Sequence, residues 1–220
     1  MRECGSTLDA GWDCWLFCYG LCRERSSRLA ARARDLPEIT VLVYDSAGIS
    51  RPVLNQAAFE TTRIFRQAGI EITWVNCSGG SAIAEGACLE GPGANQFVLH
   101  IVPTGTTSTD LVFGVAFLAE DGSGTYCDVF FDRVDQATHS MATNESQLLG
   151  TVAAHELGHL LLGSHAHSAW GIMEPVWKTE GLRQIGMGTL LFLPEQSALM
   201  KARIGRAGVT LSGFVAKTKP

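Results

Sequence analysis

The chain has 220 residues, a formal net charge of −5 and a hydrophobic share of 46%. This length is sufficient for one domain with a sizeable core, and the acidic balance argues against a nucleic-acid-binding protein, which usually presents a basic face. No apolar run approaches the length that a helix needs to cross a bilayer, so we expect no transmembrane segment. The sequence leaves the oligomeric state open.

The first 36 residues differ in composition from the rest and are expected to form a leader or a poorly ordered segment. The stretch 14–22, CWLFCYGLC, has the length of a signal-peptide hydrophobic region. Acidic residues precede it and arginines follow it, which reverses the usual charge order of a signal. An export signal, a pro-segment and a misassigned start codon all stay open, and the expected location is secreted or extracytoplasmic.

From Pro37 onward, β-branched apolar runs alternate with longer stretches of helical periodicity, which indicates a folded domain over 37–220. The connection AEDGSG is rich in turn residues and is typical of a hairpin. The predicted elements, in chain order, are a strand over 39–45, a helix over 52–69, strands over 70–76 and 95–103, a strand pair over 112–118 and 125–134, a long helix over 145–163 and a closing helix over 193–204. This order predicts an α+β fold, in which a mixed, twisted sheet is backed by helices.

Four of the six histidines fall within 155–167, in the segment HELGHLLLGSHAHSAWGIMEP. His155 and His159 lie one turn apart on the predicted long helix, so both imidazoles project from one face. This spacing allows two nitrogens to reach one zinc ion at about 2.0–2.1 Å each. Glu156 lies beside the first of them, where it can take a proton from a zinc-activated water and pass it to a leaving amine.

The residues that follow supply a third candidate ligand. Gly163 tolerates positive φ and can end the helix abruptly, after which His165 returns the chain toward the metal. Three protein ligands with one open position are the composition of a catalytic zinc site, whereas a structural zinc site normally takes four protein ligands.

The segment HELGHLLLGSHAHSAWGIMEP resembles the zinc-binding segment and Met-turn of the metzincin zinc metallopeptidases, most closely the matrixin-like branch. The resemblance implies that the zinc ligands are His155, His159 and His165. It also implies that Glu156 is the general base and that Met173 is the Met-turn residue beneath the metal. It also implies a metzincin-like fold, with an N-terminal subdomain over 37–165, a zinc-binding active-site helix and a short C-terminal subdomain over 166–220.

One departure from the family concerns the third ligand. Members of the family place a glycine three residues after the second histidine, where this chain has Leu162, and Gly163 comes one residue later. A turn longer by one residue would move His165 off the metal and bring His167 onto it. The spacing to Met173 favours His165, and His167 stays the alternative third ligand.

These features predict a zinc-dependent endopeptidase with Zn²⁺ as its cofactor and a peptide or protein as its substrate. Glu156 would act as the general base. The alternative is a non-catalytic, zinc-stabilised binding domain of metzincin-like fold, in which His165 and His167 both reach the metal and close its open position. A metzincin-like fold that has lost its activity is a third possibility.

Three further features bear on the site and its surroundings. The stretch 112–118, VFGVAFL, is a candidate edge strand along which an extended substrate could add as a further strand. Trp170 and Trp177 could wall the substrate pocket or pack the C-terminal part. Cys77 and Cys88 bracket a small-residue loop, and their disulfide state depends on whether the compartment is oxidising.

Overall fold

A computed structural model describes residues 36–78, 86, 88–105, 112–141 and 143–215. The chain divides into two units between Leu36 and Pro37, and the second unit carries every element described below. The expectations for CWLFCYGLC and the rest of 1–35 lie outside the described residues. Within the described ranges, no helix combines the length and the apolar character that crossing a membrane requires.

The described residues form five strands and five helices. In chain order they are β1 (Glu38–Asp45), α1 (Arg51–Gln67), β2 (Glu71–Asn76), β3 (Gln96–Val102), β4 (Gly114–Phe117), β5 (Tyr126–Phe130), α2 (Phe131–Met141), α3 (Glu145–Leu162), α4 (Thr179–Gly186) and α5 (Pro194–Val215).

The five strands form one mixed sheet in the order β2-β1-β3-β5-β4. All neighbouring strands pair in parallel except β4, which runs antiparallel to β5 at one edge. The predicted hairpin is therefore confirmed. Ala119 N donates a hydrogen bond of 2.8 Å to Ser123 O across its turn, in which Gly122 has a φ of 75°. The fold is α+β, as the sequence predicted.

Helices α1 and α3 share one hydrophobic core with the sheet. The two helices approach closely at Gly150, where a Cβ atom would stand 2.5 Å from Ala57 O. The hydroxyl of Thr61 donates a hydrogen bond of 2.9 Å to Gly150 O at the same crossing. Only a residue without a side chain permits this contact, which allows α1 and α3 to pack closely together.

The structure differs from the sequence prediction at two helices. The strand predicted over 125–134 ends at Phe130, and α2 begins at the next residue. Among the described side chains of α2, Val134 and Ala137 are buried hydrophobic residues three positions apart, which is helical rather than strand spacing. The second unpredicted helix, α4, is short and buries only Gly181 and Ile185, so its periodic signal covers a single turn.

A disulfide joins Cys77 and Cys88, with a Cα–Cα distance of 5.7 Å. The hydroxyl of Tyr44 donates a hydrogen bond of 2.8 Å to the carbonyl of Cys88, so the loop that carries this cysteine is also held against β1. The pairing that the sequence left open is therefore formed in this structure.

Candidate metal centre

Helix α3 forms the scaffold of the histidine cluster. Its N-cap residue Asn144 accepts a hydrogen bond of 3.1 Å from Gln147 N, and nearly every residue from there to the last turn is buried. A helix that is apolar on all sides is typical of a central core element. His155, Glu156 and His159 are only 7%, 6% and 4% exposed, so three polar side chains lie inside this apolar environment.

Each helix histidine is oriented by a backbone carbonyl. The Nδ1 atom of His155 lies 2.7 Å from Ile172 O, and Nδ1 of His159 lies 2.7 Å from Ser164 O. A carbonyl oxygen only accepts hydrogen bonds, so each Nδ1 must carry the proton of a neutral imidazole. The tautomer of both rings is thereby set, and each Nε2 presents a lone pair.

The two Nε2 atoms face each other at 3.1 Å. With both protons on Nδ1, no hydrogen lies between them, and two lone pairs at this distance repel each other unless a cation binds both. Two nitrogens that ligate one tetrahedral zinc ion lie about 3.4 Å apart, close to the observed separation. The donor set and its spacing therefore fit zinc.

Burial keeps the helix histidines in the form that binds a metal. Desolvation lowers the pKa of His155 to about 3, against a smaller opposing contribution from its hydrogen bond to Ile172. Desolvation likewise lowers the pKa of His159. Both imidazoles are consequently neutral at physiological pH, and a metal ion need not displace a proton from either ring.

The end of α3 positions both a candidate ligand, His159, and the loop that follows. Gly163 caps the helix in the left-handed conformation, with a φ of 64°, and its N–H donates to His159 O at 2.8 Å. The next carbonyl, that of Ser164, accepts the hydrogen bond from His159 Nδ1. The sequence correctly predicted Gly163 as the stop, one residue later than in the family pattern.

The loop after Gly163 brings His167 to the two helix histidines. One ligand atom from each of His155, His159 and His167 lies within 4.8 Å of the others. The His167 ring centroid is 5.4 Å from that of His155 and 4.9 Å from that of His159. His165 lines the same cavity, but it stands outside this group and its ring is 6.2 Å from His159. The geometry thus favours the alternative third ligand over His165.

The Gly-Ile-Met turn lies against the helix between its two histidines. Met173 is fully buried, and a Cβ atom on Gly158 would stand 2.9 Å from its sulfur. Met173 O accepts a hydrogen bond of 2.9 Å from Ser168 N, which ties the turn to the loop that carries the further histidines. The preceding residue, Ile172, supplies the carbonyl that orients His155. Sequence reasoning named Met173 but missed this role of Ile172.

The carboxylate of Glu156 packs against the edge strand. A Cβ atom on Gly114 would stand 2.8 Å from both Cγ and Oε1 of Glu156, so β4 can approach only because this residue is glycine. Burial raises the pKa of Glu156 to about 8. Without a cation nearby, the side chain therefore favours its protonated form, and a bound metal would favour ionisation.

A cavity of about 220 Å³ opens beside the histidine group. Strand β4 forms one wall, which confirms the stretch 112–118 as the edge strand at this site. Trp177 forms part of another wall, and its indole N–H donates a hydrogen bond of 3.2 Å to Ile172 O. Trp170, by contrast, is 65% exposed and does not line the cavity. Sequence reasoning missed Phe113 and Gly114 as individual lining residues.

No protein-family model matches this sequence, and no curated protein matches it either. Among solved structures, the chain is similar to a zinc-dependent peptidase from Methanocorpusculum labreanum (strain Z). The match has a TM-score of 0.51 and 13% sequence identity, and it covers 73% of this chain and 99% of that chain. At this identity the likeness concerns the fold alone, and the mixed α+β architecture of this chain is compatible with that of a zinc peptidase.

Proposed function

We propose that this protein is a zinc-dependent endopeptidase of metzincin type, related to the matrixin-like branch. The observation that carries the proposal is the 3.1 Å separation of the Nε2 atoms of His155 and His159, whose lone pairs a shared cation would stabilise. The ligands are these two histidines and His167. Met173 is the Met-turn residue, and the cofactor is Zn²⁺.

The chain's own residues account for the remaining chemistry. When bound, zinc supplies a Lewis acid that polarises the substrate carbonyl. Glu156 lies one residue from the first ligand and lines the same cavity, within reach of a water that attacks a peptide carbonyl. Its carboxylate takes the proton of that water and delivers it to the leaving amine.

The edge strand supports a peptide as the substrate. Strand β4 lines the cavity, and among the described residues it pairs only with β5, so we propose that an extended chain adds along its other side. A peptide that adds there forms backbone hydrogen bonds irrespective of its sequence, while its side chains enter neighbouring pockets. This arrangement favours cleavage within a chain over removal of a terminal residue.

The alternative function, a non-catalytic zinc-stabilised binding domain, requires His165 and His167 to bind the metal together. The group of three excludes His165, which leaves one ligand position open in the proposed centre. An open position is typical of catalytic zinc, and a structural site would have no use for Glu156. We therefore favour the enzyme.

The disulfide supports a location outside the cytoplasm. Cys77 and Cys88 are bonded, and disulfides persist chiefly in oxidising compartments. We propose that the protein is secreted or extracytoplasmic.

Cleavage of a mixed peptide library by the zinc-loaded protein, beside its Glu156→Gln variant, tests the proposal. We expect cleavage by the first and at least about a hundredfold slower cleavage by the second, because the variant lacks the proton carrier. Metal analysis must give equal zinc contents for the two proteins. Equal cleavage by both would assign the activity to another source, and zinc binding without cleavage would favour the binding domain.

A further inference from the structure

A second acidic residue, which the proposed hydrolysis does not use, lines the cavity beside the histidines. Glu174 follows the Met-turn directly, is partly buried and lines the cavity together with Glu156. The backbone N–H of Glu174 donates a hydrogen bond of 3.2 Å to Gly171 O, so the turn holds the backbone of Glu174 in place. Within the part of the chain that the structure describes, no lysine or arginine forms an ion pair with Glu174.

Apolar and aromatic residues line the same cavity. The rings of Phe113 and Trp177 are stacked, with centroids 6.2 Å apart and an interplanar angle of 19°. The hydrogen bond from Trp177 Nε1 to Ile172 O fixes the indole edge-on to His155, with ring centroids 5.5 Å apart. Val152 and Pro175 complete an aliphatic surface around the two rings. A long aliphatic stem could lie along this surface.

We infer that this cavity selects a cationic side chain, lysine or arginine, next to the peptide bond that is cleaved. The inference rests on the proposed function and specifies its substrate. The aliphatic stems of lysine and arginine pack on apolar surface while their charged end groups contact a polar partner. Their cations also bind the faces of aromatic rings. Glu174 supplies the anionic partner, and Phe113 and Trp177 supply the surface.

Physical causes both weaken the binding of neutral or acidic side chains and strengthen the binding of cationic ones. A neutral side chain that fills the cavity displaces water from Glu174 without offering it a partner, which costs binding free energy. An acidic side chain adds repulsion between like charges. A cationic one replaces the lost hydration with a charge-assisted hydrogen bond. Glu156 cannot supply this recognition, because its side chain is only 6% exposed and packs against Gly114.

Binding to the zinc-loaded Glu156→Gln variant tests the inference separately from catalysis. Three sets of peptides carry lysine, norleucine or glutamate at each position in turn, and fluorescence anisotropy gives their Kd values. Norleucine has the aliphatic stem of lysine without its charge. We expect the best lysine peptide to bind about five- to tenfold more tightly than its norleucine twin, as for a partly exposed ion pair.

A second substitution identifies the carboxylate responsible. Adding Glu174→Gln should abolish the preference for lysine and leave the norleucine peptide nearly unaffected, whereas Glu174→Lys should favour the glutamate peptide. Glu195→Gln is the matched control, because Glu195 is an exposed carboxylate on α5 that does not line the cavity. Zinc content and Tm verify that each variant is folded.

The outcomes separate the two proposals. Binding that is equally tight for lysine and norleucine peptides would overturn the charge selectivity and leave the endopeptidase intact. A preference for lysine that survives Glu174→Gln would overturn the assignment to this residue. If no peptide binds a protein that has zinc, the inference and the proposed function both fail.

Discussion

The proposed metal centre has two halves of different construction. Helix α3 supplies His155, Glu156 and His159, which are all buried, while the loop that follows supplies His167, which is exposed like the neighbouring His165. The helix half is held by packing on every side and by the carbonyls that orient its rings. The loop half depends on where the helix ends, and for this reason the sequence pattern left the choice between His165 and His167 open.

The contrast follows from elementary geometry. Residues four apart on a helix lie on one face whatever their surroundings, because the helical period is 3.6 residues. A loop has no such period, so a shift of one residue at its start changes the direction of every side chain after it. Here α3 runs through Leu162 before Gly163 ends it, and His167 rather than His165 joins the helix pair.

The largest effect should separate the two loop histidines. His167→Ala removes a proposed ligand and should weaken zinc binding by more than the roughly 10- to 100-fold that loss of an outer partner costs. His165→Ala removes only a residue that lines the cavity, and its zinc affinity should stay close to that of the parent protein. Competition with a chromophoric chelator measures both affinities, and the two variants serve as controls for each other.

The reverse result, with zinc lost in His165→Ala alone, would restore His165 as the third ligand and limit the role of His167. Equal losses in both variants would indicate a closed centre of four histidines. That outcome would support the zinc-stabilised binding domain over the enzyme.

A smaller effect should appear in the helix half, where Glu156 should make the free energy of unfolding depend on pH. In the metal-free protein the folded-state pKa of Glu156 is about 8 and its ordinary value is 4.5, so between these values only the unfolded state gives up the proton. The folded state then binds more protons, and its stability falls by up to about 1.4 kcal/mol per pH unit as the pH rises. Glu156→Gln should lack this decline.

Urea unfolding of both proteins in the presence of a chelator, at pH 5, 6 and 7, measures this difference. The histidines titrate in both proteins, so the difference between the two profiles isolates the carboxyl group. Parallel profiles would mean that Glu156 is far better hydrated than its burial implies.

The smallest effect concerns the junction between the two halves. Gly163→Ala places a Cβ on a residue with a φ of 64° and directly against the guanidinium of Arg203, which donates to Gly122 O. The left-handed conformation costs an alanine about 1–2 kcal/mol, and the arginine must move away. We expect a lower Tm, together with weaker zinc binding through the displaced loop.

Gly186→Ala is the control, because a Cβ at this helical position meets no atom within 4 Å. Its Tm should be unchanged or slightly higher. A Gly163→Ala protein with unaltered Tm and zinc affinity would show that the turn does not determine the position of His167.

Local patterns predicted most of the fold. The strands and the helices α1, α3 and α5 carry periodic apolar residues over several turns or alternations, and their predicted bounds lie within two residues of the observed ones at all ends but two. Strand β5 ends at Phe130, earlier than predicted, and α5 extends beyond its predicted end to Val215. Helix α2 was mistaken for a continuation of β5, because the apolar run through Phe130 and Phe131 has no period of its own.

The sequence by itself determined the helix pair His155 and His159, the acidic residue beside them and the glycine that ends the helix, because each depends only on neighbours within one turn. Tertiary structure decided which loop histidine joins the pair, and it supplied the Ile172 carbonyl that orients His155. It also brought Glu174 into one cavity with the edge strand. These features depend on where distant segments meet, and the spacing of residues along a chain carries no direct record of such contacts.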